Sequence, residues 1–391
     1  MPARFFSGHV RLLFKRCEIL RSRISSMSHL PEELRSYKLN LDEELRSLGE
    51  NIKSLLEDPD FGAPCLVRNQ IGDYRRLSEH ARIIEGYLVT VLERFSDRDR
   101  YLHLFVQLFC RQAHFPFDPP LVSSYSAEYF WTFPPANVIF VPACEEHFLL
   151  AIPDLVHELG HLFLEQGAPD LMEESFNRTV TAHMEGMARQ FDDDPSADAY
   201  RKNFDMLEYM WTQKFVAEFF ADMFATYVVG PAYGWSHLRL VMQSGEGIYS
   251  PGFGDDQASH PSDEARMRGI LFILEQMGEL QERQSLSDQW DRYVNVTAST
   301  PDEEYANCYP DVLLRDLARR VVELCQGCDV VPFDRQPDAL DNLPALLRQA
   351  WGRFRSDPDR YPEWESATVA SVKLLVDGVA QPLDLTARES T

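Results

Sequence analysis

No stretch of this chain reaches the roughly 18 uncharged apolar residues that a membrane-spanning helix needs. The longest apolar pieces, around Tyr101–Cys110 and Phe148–Val156, are short and interrupted by polar residues. Cations are the scarce charge: 38 Lys and Arg stand against 62 Asp and Glu, a formal net charge of −24. That balance excludes a nucleic-acid binder, because phosphates would be repelled over most of the surface. Its simplest meaning is solubility. A secretory signal is not expected either, since Val10–Phe14 is too short and too charged for an apolar h-region. There is no internal repeat. Seven scattered cysteines make no disulfide framework and fit reduced thiols in a cytoplasmic protein. Cys325-Gln-Gly-Cys328 is a lone CxxC without a second pair; Cys325 is expected in the core, with Gly327 ending the helix before it.

With 391 residues, 45% of them hydrophobic, the chain can bury a sizeable core and is long enough for two or three subdomains. Residues 1–27 stand apart, with Arg4, Arg11, Lys15, Arg16, Arg21 and Arg23 against Glu18, a net of +5. Such a start reads as a basic leader, a membrane-surface helix, or an extension ahead of a true initiator at Met27.

Leu45, Leu48, Ile52 and Leu55 lie at helical spacing within an amphipathic helix over 41–56, which Asp58-Pro59 breaks. A long helical region covers about 74–111, with an interruption near Ser96-Asp97, and the Pro-rich 114–120 follows as a linker. Asn137–Pro142, β-branched and closed by proline, is the clearest strand. A helix over 153–166 follows, with Pro153 in its first turn and Gly167 placed for a left-handed cap. Further helices are expected at about 171–190, 197–229, 262–284, 300–328 and 341–355, the one at 197–229 stopping at Gly230-Pro231. Asp192-Asp193-Asp194 reads as a solvated loop, the Gly-rich 244–259 as a candidate lid, and the C-terminal ten residues as a frayed tail.

His157-Glu158-Leu159-Gly160-His161 is an HExxH motif. On a helix, residues i and i+4 share one face, so both imidazoles can reach one ion. Glu158 is turned about 100° from His157, poorly placed to ligate but well placed to take a proton from a water beside the ion. The bland alternative, two surface histidines, conflicts with the apolar frame of Leu155, Val156, Leu159, Leu162 and Phe163.

A catalytic zinc needs a third protein ligand and an open position. Phe215–Ala225 holds only two polar residues, Glu218 and Asp222, again at i and i+4. Two carboxylates on an apolar stripe need a cation or donors, which makes Glu218 the candidate ligand and Asp222 the acceptor for a ligand imidazole. The alternative is an ion pair with an arginine elsewhere. Tyr227, Tyr233 and His237 lie where they could reach the site, although such aromatics are more often core. Cys144 is expected to pack as a small residue, and His147 and His183 lack ligand-spaced partners.

With Ser259-His260-Pro261 and Arg266 downstream, the HExxH and Glu-x-x-x-Asp segments resemble the gluzincin metallopeptidases, most closely the CAAX-prenyl-protease and heat-shock-protease type. The resemblance spans about residues 137–270, and the transmembrane helices of that type are missing here. It implies that His260 or Arg266 contacts the substrate or steadies an oxyanion.

The resulting expectation is a mainly α (α+β) protein with a zincin-like catalytic core, a small edge-stranded sheet and flanking helices. Residues 28–116 form an N-terminal helical region, 117–290 the metallopeptidase domain and 291–391 a C-terminal helical region. Zn2+ is held by His157, His161 and Glu218, with Glu158 as general base acting on a peptide or protein substrate, under the control of an activating or inhibitory partner. The alternatives are a catalytically silent scaffold with a structural zinc and a hydrolase of non-peptide amides.

Overall fold

The computed structural model describes residues 3–28, 30–63, 65–126, 129–167, 169–190, 197–244, 247–251, 258, 260–301 and 305–380. Asp192-Asp193-Asp194, most of the Gly-rich 244–259 and the C-terminal tail lie outside the described residues. The chain is mainly helical, about 75% helix, with one three-stranded sheet among the described residues. No described helix is long and apolar enough to cross a membrane. Two compact units are formed, one from residues 1–103 with 120–143, the other from 104–119 with 144–391.

In the first unit, α1 (Ala3–Ser26) and α2 (Leu34–Glu57) pack along their length. The seam on α1 is Phe6, Val10, Leu13, Cys17, Leu20 and Ile24, alternating steps of four and three that keep one line of a helix inward. Leu34, Leu41, Leu45, Leu48 and Ile52 supply the same line on α2. Then follow α3 (Val67–Ile83), a single π-helical turn at Ile84–Leu88, α4 (Val89–Arg94) and the start of α5 (Asp97–Gln112), which belongs to the second unit from Leu104 on. Phe95 and Ser96 make the interruption that the sequence indicated; Asp99 holds it by accepting from Ser96 N at 2.8 Å.

The sheet contains β1 (Leu121–Ser126), β2 (Trp131–Phe133) and β3 (Val138–Pro142) in the order β1-β3-β2, with β1 parallel and β2 antiparallel to β3. The strand expected at 137–142 is thus present but central. Its two edges are already paired, so it is not an edge strand that a peptide could extend, and this corrects the edge-strand expectation. Trp131 stacks on Phe140 at 4.2 Å across the antiparallel pair.

The second unit is helical: α6 (Ile152–Gln166), α7 (Pro169–Arg189), α8 (Ala197–Met210), a π turn at Trp211–Phe215 running into α9 (Val216–Val229), then α10 (Pro231–Ser244), α11 (Asp263–Gln276), α12 (Leu280–Thr297), α13 (Tyr305–Cys308), α14 (Asp311–Gly327), α15 (Leu343–Ser356) and α16 (Tyr361–Ala380). Helix α6 starts with proline in its first turn as expected, but Gly167 caps it at φ −80°, outside the left-handed region. The helix expected at 262–284 is two helices, split where Gly278 takes φ +80°. Helices α10 and α16 were not foreseen. Cys325 is buried near the end of α14, as its sequence context indicated, and Cys328 follows as the capping residue. Cys144 is exposed at φ +78° and does not pack as expected.

Near the start of α6 the second unit gathers several acids. Burial pushes the Glu145 carboxyl up to about 7; Arg239 opposes the rise, and Asp154, Glu146 and Glu365 add to it. A carboxyl with a raised folded-state pKa stabilises the fold fully below its unfolded value near 4.5, and that stability is lost as pH rises through about 7. Glu145→Gln should therefore melt a few degrees above wild type at pH 8, and close to it at pH 5. Thermal melts at the two pH values read this directly, and an equal shift at both would contradict the burial account.

Candidate metal centre

Two buried helices build the site. Helix α6 is apolar on nearly every side, and α9 is buried from Phe219 through Val229. They pack more extensively on each other than any other pair of helices. Their backbones meet at Gly160, where an added Cβ would lie 2.7 Å from the Cα of Ala221. Ala221 sits between Glu218 and Asp222, so the glycine of the HExxH motif brings both carboxylates of α9 up to the two histidines of α6.

Gly160→Ala tests this contact. In an open helix alanine adds about 1 kcal/mol of stability over glycine. Here the added methyl meets backbone, so a loss of about 1–3 kcal/mol in urea unfolding is expected, with weaker metal binding. A gain in stability would show that the helices do not touch there.

His157 Nε2 lies 3.1 Å from His161 Nε2. Glu218 faces both, with one oxygen 3.5 Å from His157 Nε2 and the other 3.5 Å from His161 Nε2. On its far side, His157 Nδ1 lies 2.9 Å from an oxygen of Asp222 and 3.0 Å from the Tyr233 hydroxyl. Tyr233 donates to that same Asp222 oxygen. A carboxylate can only accept, so the imidazole proton sits on Nδ1 and the lone pair of Nε2 points at His161 and Glu218. Lone pairs converging at such separations repel unless a cation lies among them. His157, Glu158 and His161 form a cluster that could hold a metal ion, their donor atoms all within 4.8 Å of one another.

The electrostatics agree with that demand. Burial disfavours a charged His157, but hydrogen bonds to Asp222 and Glu218 outweigh it and raise its pKa to about 10, so a proton occupies the site when no other cation does. Burial brings His161 down to about 4, leaving it neutral with a free lone pair at pH 7. Glu158 is raised to about 7, mainly by burial, with Glu218 and Asp154 adding to it and His157 opposing. Burial works against charge on Glu218 and Asp222 as well, yet the histidines and Arg266 keep both carboxyls below the ordinary range.

The remaining candidates divide. Arg266, read from the resemblance as an oxyanion group, is 7% exposed. Its Nε and Nη2 donate to the two Asp222 oxygens at 2.8 and 2.7 Å, and Nη2 is 3.8 Å from Glu218. The ion pair considered as an alternative for the α9 carboxylates is therefore what Asp222 makes, while Glu218 faces the histidines. His260 stands at the mouth, its side chain 59% exposed and its Nε2 3.8 Å from Glu218. The Ser262 side chain, accepting from Ala265 N at 3.3 Å, starts α11 between His260 and Arg266. Of the three aromatic candidates only Tyr233 reaches the centre. Tyr227 donates to Val330 O at 3.3 Å, and His237 Nε2 lies 3.3 Å from Asp263 O. His147 is exposed beside Glu146, and no contact brings it or His183 to the centre.

One contributor escaped sequence reasoning altogether. Asp154, in the first turn of α6, accepts from Ser236 at 2.9 Å and Arg239 at 3.1 Å, both on α10. This tie fixes α10 so that Tyr233 meets His157. The signal available was an acid in the otherwise apolar run Leu149–Val156 that precedes the HExxH motif.

No family model, curated protein or solved structure matches this chain. The functional reading therefore rests on the residues themselves.

Proposed function

We propose that the chain is a zinc-dependent metallohydrolase with a zincin-like core that cuts peptide bonds, its metal held by His157, His161 and Glu218. One observation carries this reading. The imidazole nitrogens are 3.1 Å apart and each is 3.5 Å from a different oxygen of Glu218, spacings close to the roughly 3.3–3.4 Å that separates neighbouring ligands on zinc bonds of about 2.0–2.1 Å. Two imidazoles with one carboxylate leave a fourth position open, as a hydrolytic centre requires.

A zinc ion bound there supplies Lewis acidity, polarising a scissile carbonyl and making a neighbouring water more acidic. Glu158 accepts the proton of the attacking water and returns it to the leaving amine. Burial suits it to this exchange, because a base poised near neutrality both takes and releases a proton readily. Asp222 holds the His157 proton on Nδ1, with Arg266 and Tyr233 holding Asp222, so these three position a ligand and do not touch substrate. His260, exposed at the mouth, is the group of this set placed to meet a substrate.

Elemental analysis of purified protein, wild type beside Glu218→Ala, tests the ligand set. Near-stoichiometric zinc in wild type and its loss in the variant are expected. A wild type that takes up no metal after reconstitution would end the metallohydrolase reading, and zinc retained by the variant would require a different third ligand.

A further inference from the structure

The seam of α1 accounts for its inward line only. On the outward side Phe5, Leu12 and Ile19 are exposed by 60%, 64% and 58%, and they recur every seven residues. Seven residues are almost two full turns, so the three side chains form one line along the helix, on the face turned away from the buried seam. Around that line stand Arg4, Arg11 and Lys15 on one flank and Arg16 and Arg23 on the other, with Glu18 the single acid of the helix. Arg16 and Arg23 lean on Glu85 and Glu93 at 2.5 Å, and more than half of each cationic side chain remains exposed. A solvated helix face needs no apolar line. This one has a line with cations on both sides, and it lies in a segment of net charge +5 within a chain of −24.

From these observations we infer that the outer face of α1 docks on an anionic phospholipid bilayer, Phe5, Leu12 and Ile19 entering the headgroup boundary while the flanking Arg and Lys meet lipid phosphates and carboxylates. A helix lying in the interface plane uses an apolar line with cationic flanks in this way. Charge selects the occupant. A second copy of this chain would set one cationic helix against another, and three side chains fall well short of the roughly 800 Å² per partner of a stable dimer. Juxtaposed cations at a negatively charged leaflet are instead attracted, over a distance limited by salt screening. The helix lies on the membrane and does not span it, in keeping with its mean composition. This inference is independent of the chemistry at the metal centre.

Co-sedimentation of the full chain with phosphatidylcholine vesicles, with and without about a third phosphatidylserine, tests it. Binding to the anionic vesicles alone is expected, weakened by raised salt. The triple variant Phe5→Ser, Leu12→Ser, Ile19→Ser should bind on the order of tenfold more weakly. Because all three side chains are exposed, its circular dichroism and melting temperature should match wild type, which separates lost docking from lost folding. Arg11→Glu with Lys15→Glu should weaken binding in the same way. No preference for anionic vesicles, or binding unchanged in the triple variant, would overturn the inference. So would a concentration-dependent dimer in light scattering that the triple variant abolishes without any vesicle binding.

Discussion

Glu158→Gln should lower peptide hydrolysis by about 10²–10⁴-fold, the range that a positioned proton-transfer group contributes, and should leave the metal content unchanged. The amide keeps the size and hydrogen-bonding reach of the carboxylate but cannot take a proton at neutral pH. The pairing of these two results matters, because Glu158 belongs to the cluster that could hold a metal ion. Metal retained with activity lost assigns Glu158 to proton transfer. Metal lost along with activity would make it a ligand. Cleavage of a peptide library followed by mass spectrometry, with elemental analysis on the same samples, gives both readings. Activity equal to wild type would remove Glu158 from the mechanism.

Arg266→Ala should cost about 3–5 kcal/mol of stability, the usual penalty for stripping one partner from a buried ion pair. Asp222 is fully buried and takes two charge-assisted hydrogen bonds from this guanidinium. Without them its charge keeps only the hydrogen bonds from His157 and Tyr233. Urea unfolding measures the loss, and Arg266→Lys should recover part of it, since an ammonium restores the charge but not the two-pronged geometry. An Arg266→Ala protein as stable as wild type would show that the pair is solvated and that Arg266 has no structural part in the centre.

The HExxH pair and the Glu218/Asp222 pair were legible because each is a helical i, i+4 spacing of polar groups inside an apolar run, a pattern that local sequence states directly. The clamp was not. Arg266 and Asp222 lie 44 positions apart, and nothing local says which carboxylate a distant arginine will find. Tyr233 was placed within reach of the site, but the helix that carries it went unread, because Gly230-Pro231 looks like a stop. Gly230 does end α9, at φ +62°, while Pro231, whose missing N–H costs nothing in a first turn, begins α10. Strands β1 and β2 were also hidden. The first is half serine, the second three residues long, and both are defined by pairing to β3 more than by composition of their own. The mainly helical class followed from helical periodicity, which survives tertiary packing better than short strands do.

The touching backbones at Gly160 and Ala221 have one more consequence, which concerns size. With no side chain between them to compress or reorient, α6 and α9 cannot spread or close without unpacking a buried seam, so the gap between the histidines and Glu218 is a fixed dimension. A calcium ion, with oxygen partners at about 2.3–2.6 Å and six to eight of them, would need a wider and more oxygen-rich cage. Magnesium would need octahedral oxygen in place of imidazole. A donor set of two imidazoles and one carboxylate held at that spacing would favour the nitrogen-tolerant ions of the late first transition row, over calcium by size and over magnesium by ligand chemistry.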